Sequence, residues 1–247
     1  MRHLVGILGF NNQARLDKCA ASLRANLPDD TAIWLIDNGS APLRTPDGLT
    51  AHYVAAQTGG GFTAALRWFL TQARILQCET ATFCNDDLEF EPGCLARMIE
   101  TAQEPRVGVA CPMQVAMHNP QVIICGGTGA AYPGGMHRTG QRGISWREPK
   151  DARWMPFAAV TFNMAALLDI GMPDAEMTLW FSDSDYCIRA RLAGYRVVYL
   201  GEQAVVRHEQ SASVNRMGDE ARRLRFVLDQ TAFRRKWGGG ILQEYST

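Results

Sequence analysis

Phe83-Cys84-Asn85-Asp86-Asp87-Leu88-Glu89-Phe90-Glu91-Pro92 is the stretch around which the rest of the chain is read. Thr80 to Cys84 has the length and β-character of a buried strand, and that run stops abruptly at Asn85-Asp86-Asp87. The carboxylates therefore stand at a strand's C-terminal edge, where open α/β sheets bind ligands. Two adjacent acids preceded by an Asn suit a hard divalent cation that keeps several waters and bridges to phosphate oxygens. Standing alone, the tripeptide reads more readily as a solvated turn, because Asp and Asn are turn formers. Its company along the chain shifts the balance toward a site.

Upstream, strand and helix patterns alternate. Leu4 to Phe10 is a β-type run, followed after Asn11-Asn12 by Leu16, Cys19 or Ala20, Leu23 and Leu27 at helical spacing. Ala32 to Ile36 predicts a second strand, ended by the turn formers Asp37-Asn38-Gly39-Ser40, and His52 to Ala55 a short third. Gly59-Gly60-Gly61 then opens an apolar helix through Phe62, Leu66, Phe69, Leu70, Ala73 and Leu76. Pro92 starts a helix carrying Leu95, Met98 and Ile99. This order predicts an α/β fold with a mainly parallel central sheet flanked by helices.

Three strand ends in this half carry polar turn residues that would line one crevice: Asn11-Asn12, Asp37 to Ser40, and Asn85 to Asp87. Asp37 can accept from a base imide N–H or from ribose hydroxyls. Gly59-Gly60-Gly61 exposes backbone N–H groups at a helix N-terminus, where phosphate is favoured. The triple glycine is neither a dinucleotide fingerprint nor a Walker loop, and a plain tight turn accounts for it as well.

The second half predicts strands at Val107 to Val115, Gln121 to Cys125, Phe157 to Phe162, Val197 to Leu200 and an apolar run from Val205 that ends on His208. A short helix fits Met164 to Ile170, and a loop rich in Gly, Arg and Pro runs from Gly126 to Pro149. Loops of that length are usually functional or disordered, and this one is placed to close over a ligand. At 247 residues with 47% hydrophobic content the chain buries a sizeable core. Lys plus Arg and Asp plus Glu are both 25, so the overall charge calls for neither nucleic acid nor an anionic surface. No apolar run approaches the roughly 20 residues of a membrane span, and the N-terminus lacks a signal-peptide pattern, so a cytoplasmic location is expected. The 7 cysteines are scattered and form no Cys-x-x-Cys pair, which predicts reduced, buried thiols.

Four pieces, in order, carry a family resemblance: the opening strand into Gly9-Phe10-Asn11; Asp37-Asn38-Gly39-Ser40; Asn85-Asp86-Asp87; and the block Phe181 to Arg189 followed by Ala193-Gly194-Tyr195 and His208. Together, over about residues 4 to 213, they resemble a family 2 inverting glycosyltransferase of the GT-A fold. The resemblance implies a single GT-A-like domain over 1–247, with a nucleotide-sugar half (1–100), an acceptor and catalytic half (101–213) and a helical tail (214–247). It implies that Asp87 is the second acid of the metal-binding Asp-x-Asp motif, Asn85 takes the place of the first, and Asp86 lies between them. Phe10, Asn11, Asp37 and Asn38 would surround the nucleotide, His208 would be a further metal ligand, and Asp183 the catalytic base.

That chemistry needs a leaving diphosphate neutralised and an acceptor hydroxyl deprotonated. Mg²⁺ or Mn²⁺ held by Asp87 and His208 meets the first need, the imidazole tilting the choice toward Mn²⁺. A carboxylate with a reference pKa of about 4 meets the second. Where the family has Glu-Asp this chain has Ser182-Asp183, which keeps Asp185 open as an alternative base. The Gly-Gly-Phe-Thr run resembles the galactofuranosyl branch and the Gly171 to Arg189 layout the rhamnosyl branch, with a UDP- or dTDP-sugar as donor. The acceptor would be a glycan, lipid-linked or other polymeric hydroxyl.

From Asp219 to Trp237 an amphipathic helix interleaves Arg222, Arg223, Arg225, Arg234, Arg235 and Lys236 with Leu224, Phe226, Val227, Leu228, Phe233 and Trp237. Packing on the body is the plainer reading, and docking on a membrane surface or an anionic acceptor the sharper one. Two other classes compete. A nucleotidyltransferase would carry a Gly-rich basic grip where this chain has Asn11-Asn12-Gln13-Ala14-Arg15, and a non-catalytic sugar-nucleotide module is suggested by Ser182.

Overall fold

The computed structural model describes residues 1–25, 27–39, 42–55, 61–128, 137–209 and 218–238. Its first four strands are β1 (His3–Gly9), β2 (Thr31–Asp37), β3 (Thr50–Tyr53) and β4 (Thr80–Asn85), connected in part by α1 (Gln13–Arg24) and α2 (Phe62–Ile75). They lie side by side and parallel in the order β3-β2-β1-β4. Their apolar side chains alternate between two layers, as a period-2 strand requires. Leu4 and Ile36 join α2 on one face, while Val5, Ile7, Ile33 and Leu35 meet Leu16, Cys19 and Leu23 of α1 on the other. Helix α2 comes so close to β1 that a Cβ on Gly6 would lie 2.6 Å from the Phe69 ring.

The remaining strands are β5 (Leu88–Phe90), β6 (Val107–Cys111), β7 (Met113–Ala116), β8 (Asn119–Cys125), β9 (Gly140–Gln141), β10 (Lys150–Asp151), β11 (Ala159–Asn163), β12 (Arg196–Tyr199) and β13 (Val205–His208). The helices are α3 (Cys94–Ala102), α4 (Met164–Ile170), α5 (Ser182–Leu192) and α6 (Asp219–Trp237). The large sheet runs β10-β12-β6-β11-β4-β1-β2-β3, with β11 antiparallel between β4 and β6. Strands from both sequence halves therefore share one sheet.

Val107 to Val115, expected as one strand, is two. Pro112 has no N–H for a sheet ladder, and the chain leaves the large sheet there for a second one ordered β5-β13-β7-β8-β9. The parallel partner changes sheets alongside it: β12 pairs with β6, then β13 with β7 after a turn at Gly201–Gln203. Gly201 sits at φ 57°, and a Cβ there would fall 2.0 Å from the Arg147 carbonyl oxygen, so only glycine makes this crossing. Leu88 to Phe90, unread as a strand in the sequence, pairs with β13 and brings His208 opposite Leu88.

All 7 cysteines are buried free thiols. Helix α6 packs on the body through Ala232, Phe233 and Trp237, which join Met177 and Ile188 in a small third core, while Leu224, Val227 and Leu228 face outward. No helix among the described residues is long and apolar enough to cross a membrane.

Candidate active site

Parallel pairing puts the C-terminal ends of β1, β2 and β4 side by side. Gly9 lies opposite Asp37, and Leu8 opposite Asn85. The Asp37 carboxylate, 3% exposed, accepts from the backbone N–H of Gly39 at 3.1 Å and of Leu43 at 2.6 Å, so it shapes the turn that follows its own strand. Asn38 donates its side-chain N–H to the Gly61 carbonyl at 3.1 Å, which ties this turn to the entry of α2. Asn11 holds a positive φ of 51° and packs against Gly39, where a Cβ would lie 2.3 Å from its Oδ1. Phe10 is exposed at the same rim, its backbone N–H donating to Asp86 Oδ2 at 3.1 Å. Gly59 and Gly60 lie outside the described residues.

Asp87 and His208 meet. The His208 Nε2 atom is 3.5 Å from Asp87 Oδ1, and both side chains are largely enclosed. His208 Nδ1 lies 2.9 Å from Gln114 Oε1. An amide oxygen only accepts, so Nδ1 carries a proton, and in the neutral ring Nε2 turns its lone pair toward the carboxylate. Asp87 Oδ1 is buried and has no hydrogen-bond partner among the described residues. Two acceptor atoms facing each other across 3.5 Å, one of them an orphaned carboxylate oxygen, make a position that a cation completes. The nitrogen and oxygen donors fit Mn²⁺ or Mg²⁺. No cluster of three or more His, Cys, Asp or Glu arranged for a metal occurs among the described residues, so water and substrate oxygens would supply the remaining ligands.

Beside this pair a cavity of about 280 Å³ is lined by Arg15, Lys18, Asp86, Asp87, His118 and Glu209, among others. Arg15 Nε is paired with Glu209 Oε2 at 2.7 Å, and the Glu209 backbone N–H donates to the Asp87 carbonyl at 3.0 Å. A larger hollow of about 600 Å³, lined by Arg74, Glu79, Gln103 and Asn163, lies at the opposite, N-terminal edge of the sheet, away from these groups.

Asp183 and Asp185, two residues apart at the start of α5, have opposite surroundings. Asp183 is half-buried. Its Oδ1 accepts from the Ser184 backbone N–H at 2.8 Å and hydroxyl at 2.9 Å, and the Phe157 backbone N–H also points at its carboxylate. Burial pushes its carboxyl above the ordinary aspartate range, and these hydrogen bonds oppose the shift only in part. The next residue, Ala158, accepts the Asn85 backbone N–H at 2.9 Å, so the dipeptide Phe157-Ala158 joins the surroundings of Asp183 to the Asn85-Asp87 edge. Asp185, the alternative base in the sequence reading, has other partners. It is fully buried and engaged by Arg189 Nε at 2.9 Å, Lys236 Nζ at 2.7 Å and Trp237 Nε1 at 2.9 Å, so it anchors α6.

Three further residues escaped the sequence reading. Gln114 orients His208 from another strand. His137 contacts Cys125 Sγ at 3.4 Å and packs tilted on Trp154, and its imidazole is pushed down first by burial and then by the charge of nearby His208. Asp229 belongs to α6. A lone Gln, a lone His and a helical Asp carry no local signal of such partners.

Residues 5–121 match the family model Glycosyl transferase family 2. Solved structures share the fold: GalNAc-T7 with UDP, GalNAc and Mn²⁺ superposes with a TM-score of 0.67 at 14% identity, over 83% of this chain and 43% of that one. The mannosyltransferase PcManGT from Pyrobaculum calidifontis, with GDP-Man and Mn²⁺, superposes with a TM-score of 0.59 at 15% identity, over 98% of this chain and 68% of that one. The fold is therefore the GT-A fold of glycosyltransferases. The stretch matched by the family model, residues 5–121, is the one that carries Asp37 and Asp87. The protein y4gI of Sinorhizobium fredii is 30% identical over 171 residues, 64% of this chain, and the chain spans only 18% of that relative's length.

Proposed function

We propose that the chain is a metal-dependent inverting glycosyltransferase that moves a sugar from a nucleotide-diphosphate sugar to an acceptor hydroxyl. The observation that carries this reading is the buried Asp87 Oδ1, unpartnered among the described residues and facing His208 Nε2 at 3.5 Å, on the edge that Phe157-Ala158 joins to Asp183. Asp87 and His208 would hold Mn²⁺ or Mg²⁺, with Asn85 and Asp86 shaping the edge around it. When bound, the ion supplies positive charge against the leaving diphosphate.

The chain's own groups do the rest. Asp37, Asn38, Phe10, Asn11 and Gly61 would form the nucleotide side of the cleft, Asp37 through the turn it braces. Asp183 takes the acceptor hydroxyl proton as that oxygen bonds to the anomeric carbon and the bond from that carbon to the diphosphate oxygen breaks. Attack opposite the leaving group inverts the anomeric configuration, and no covalent enzyme intermediate forms. The raised pKa of Asp183 makes it a stronger base than an ordinary aspartate, provided the pH keeps it ionised.

The nucleotide sugars named with the two similar structures, and the rhamnosyl and galactofuranosyl resemblances, set the first donors to test. A hydroxyl on a glycan or lipid-linked carrier is the acceptor class. The outward Leu224, Val227 and Leu228 between Arg223 and Arg234 would face its anionic or membrane surface at the cytoplasmic side. The test is release of nucleoside diphosphate from UDP-, GDP- and dTDP-sugars with and without Mn²⁺. Release that needs Mn²⁺ and is lost in Asp183→Asn, with donor binding kept, supports the reading. Metal-independent release, or a rate unchanged by Asp183→Asn, overturns it.

A further inference from the structure

Helix α6 holds the polypeptide on both sides of Asp183. Ahead of it, the Asp229 carboxylate accepts from the Thr178 backbone N–H and hydroxyl, each at 3.0 Å, and from the backbone N–H groups of Leu179 and Trp180, each at 2.9 Å. Behind it, Asp185 is held by Trp237 Nε1 and Lys236 Nζ. Asp229 is 1% exposed, and the donors it meets are those of a single turn. A carboxylate is kept in such a place only by a full set of hydrogen bonds, and in return it fixes three consecutive peptide groups.

That turn is the one that delivers the base. Trp180 is followed by Phe181 in a left-handed conformation, φ 68°, and α5 then starts at Ser182 with no side-chain cap of its own. Phe181 stacks on Phe233 of α6 at 5.5 Å between ring centroids. The same turn also reaches the donor side: the Thr178 carbonyl accepts the Thr63 backbone N–H at the start of α2 at 3.1 Å, and Arg225 donates to the Thr178 hydroxyl at 2.8 Å. The entry of α2 is in turn tied to Asn38 through Gly61. Thr178 is thus the junction between the nucleotide side, the base and α6.

We infer that Asp229 is a positioning residue: acting through the 178–180 turn, it sets where Asp183 stands relative to the donor-side edge. This rests on Asp183 being the base, and it assigns the amphipathic tail a part in the chemistry that packing alone does not. Replacing Asp229 by Asn keeps the volume but turns an N–H₂ toward backbone donors, so the turn loosens while the nucleotide side stays intact.

The experiment is Asp229→Asn alone and combined with Asp183→Asn, read by nucleoside diphosphate release and by amide hydrogen exchange at Leu179 and Trp180. Exchange at those amides should accelerate, turnover should fall about 10²-fold, as misplacement of a reacting group by about 1 Å costs, and the donor KM should stay within about two-fold. In the Asp183→Asn background the second substitution should add less than about three-fold, because a residue acting through the base has nothing left to position. Losses that multiply in the double variant, or turnover within about three-fold of wild type in the single one, overturn the inference. Should Asp229→Asn not fold, Asp229→Ser removes the same carboxylate, and the same faster exchange at Leu179 and Trp180 and the same non-additivity are required of it. A wild-type protein that releases no nucleotide from any donor would defeat the transferase reading instead, and unchanged exchange at Leu179 and Trp180 would defeat the tether independently of activity.

Discussion

Asp87→Asn should raise the stability of the metal-free protein and abolish its response to Mn²⁺, a pair of opposite effects that few substitutions produce. In the metal-free protein the Asp87 Oδ1 atom is buried, unpartnered among the described residues and 3.5 Å from a nitrogen lone pair. An unsatisfied buried polar atom costs about 1–3 kcal/mol, and an Asn amide in its place can donate to His208 Nε2. A gain of about 1 kcal/mol corresponds to roughly 2–4 °C in melting temperature for a domain of this size. In the wild type, Mn²⁺ with UDP at about a hundred times its dissociation constant should stabilise by about 2.7 kcal/mol, or roughly 5–10 °C. Differential scanning fluorimetry with and without Mn²⁺ and UDP reads both effects on one plate. A variant that melts lower than wild type without metal and still shifts upward with Mn²⁺ would show that Asp87 is neither strained nor a ligand, and the argument from the orphaned oxygen would fail.

Other outcomes follow from the same geometry. Because burial raises the Asp183 pKa, the acid limb of kcat/KM should lie above the ordinary aspartate value of about 3.9. The native state also keeps that proton longer than the unfolded chain, so stability from this group is present below about 3.9 and lost as pH rises through the folded value; Asp183→Asn should flatten that window in pH-dependent melts. Gln114→Leu removes the group that orients His208 and should weaken Mn²⁺ binding about 10- to 100-fold by calorimetric titration while the far-ultraviolet spectrum stays native. Asp185→Asn leaves Arg189 and Lys236 facing a neutral partner in a buried site and should cost about 3–5 kcal/mol in urea unfolding, while the folded fraction keeps its affinity for Mn²⁺ and nucleotide.

Much of the fold is legible because its signals are local. β1, β2 and β4 are short apolar runs ended by Asn and Asp, and α6 announces itself by spacing; the structure finds each within a residue or two of its expected bounds. The split at Pro112 was also written locally, in a residue that cannot donate to a ladder, but the apolar run across it concealed the break. The antiparallel insertion of β11 between β4 and β6 leaves no such trace, since a buried strand reads the same in either direction.

For the site, the sequence by itself determined which residue types end the strands: Asp37 after β2, Asn85 to Asp87 after β4, His208 at the end of β13, and a pair of aspartates opening a helix. Only the tertiary structure decided which of them meet. Asp183 and Asp185 differ by two helical positions, a rotation of about 200°, so one carboxylate meets Ser184 and the Phe157 backbone N–H and the other the contact with α6. Gln114 reaches His208 across 94 residues and Asp229 reaches Thr178 across 51, through strand and helix packing that no local pattern encodes. Side-chain chemistry is a property of the residue, but which partner it faces is set by how the two sheets and the last helix close around it.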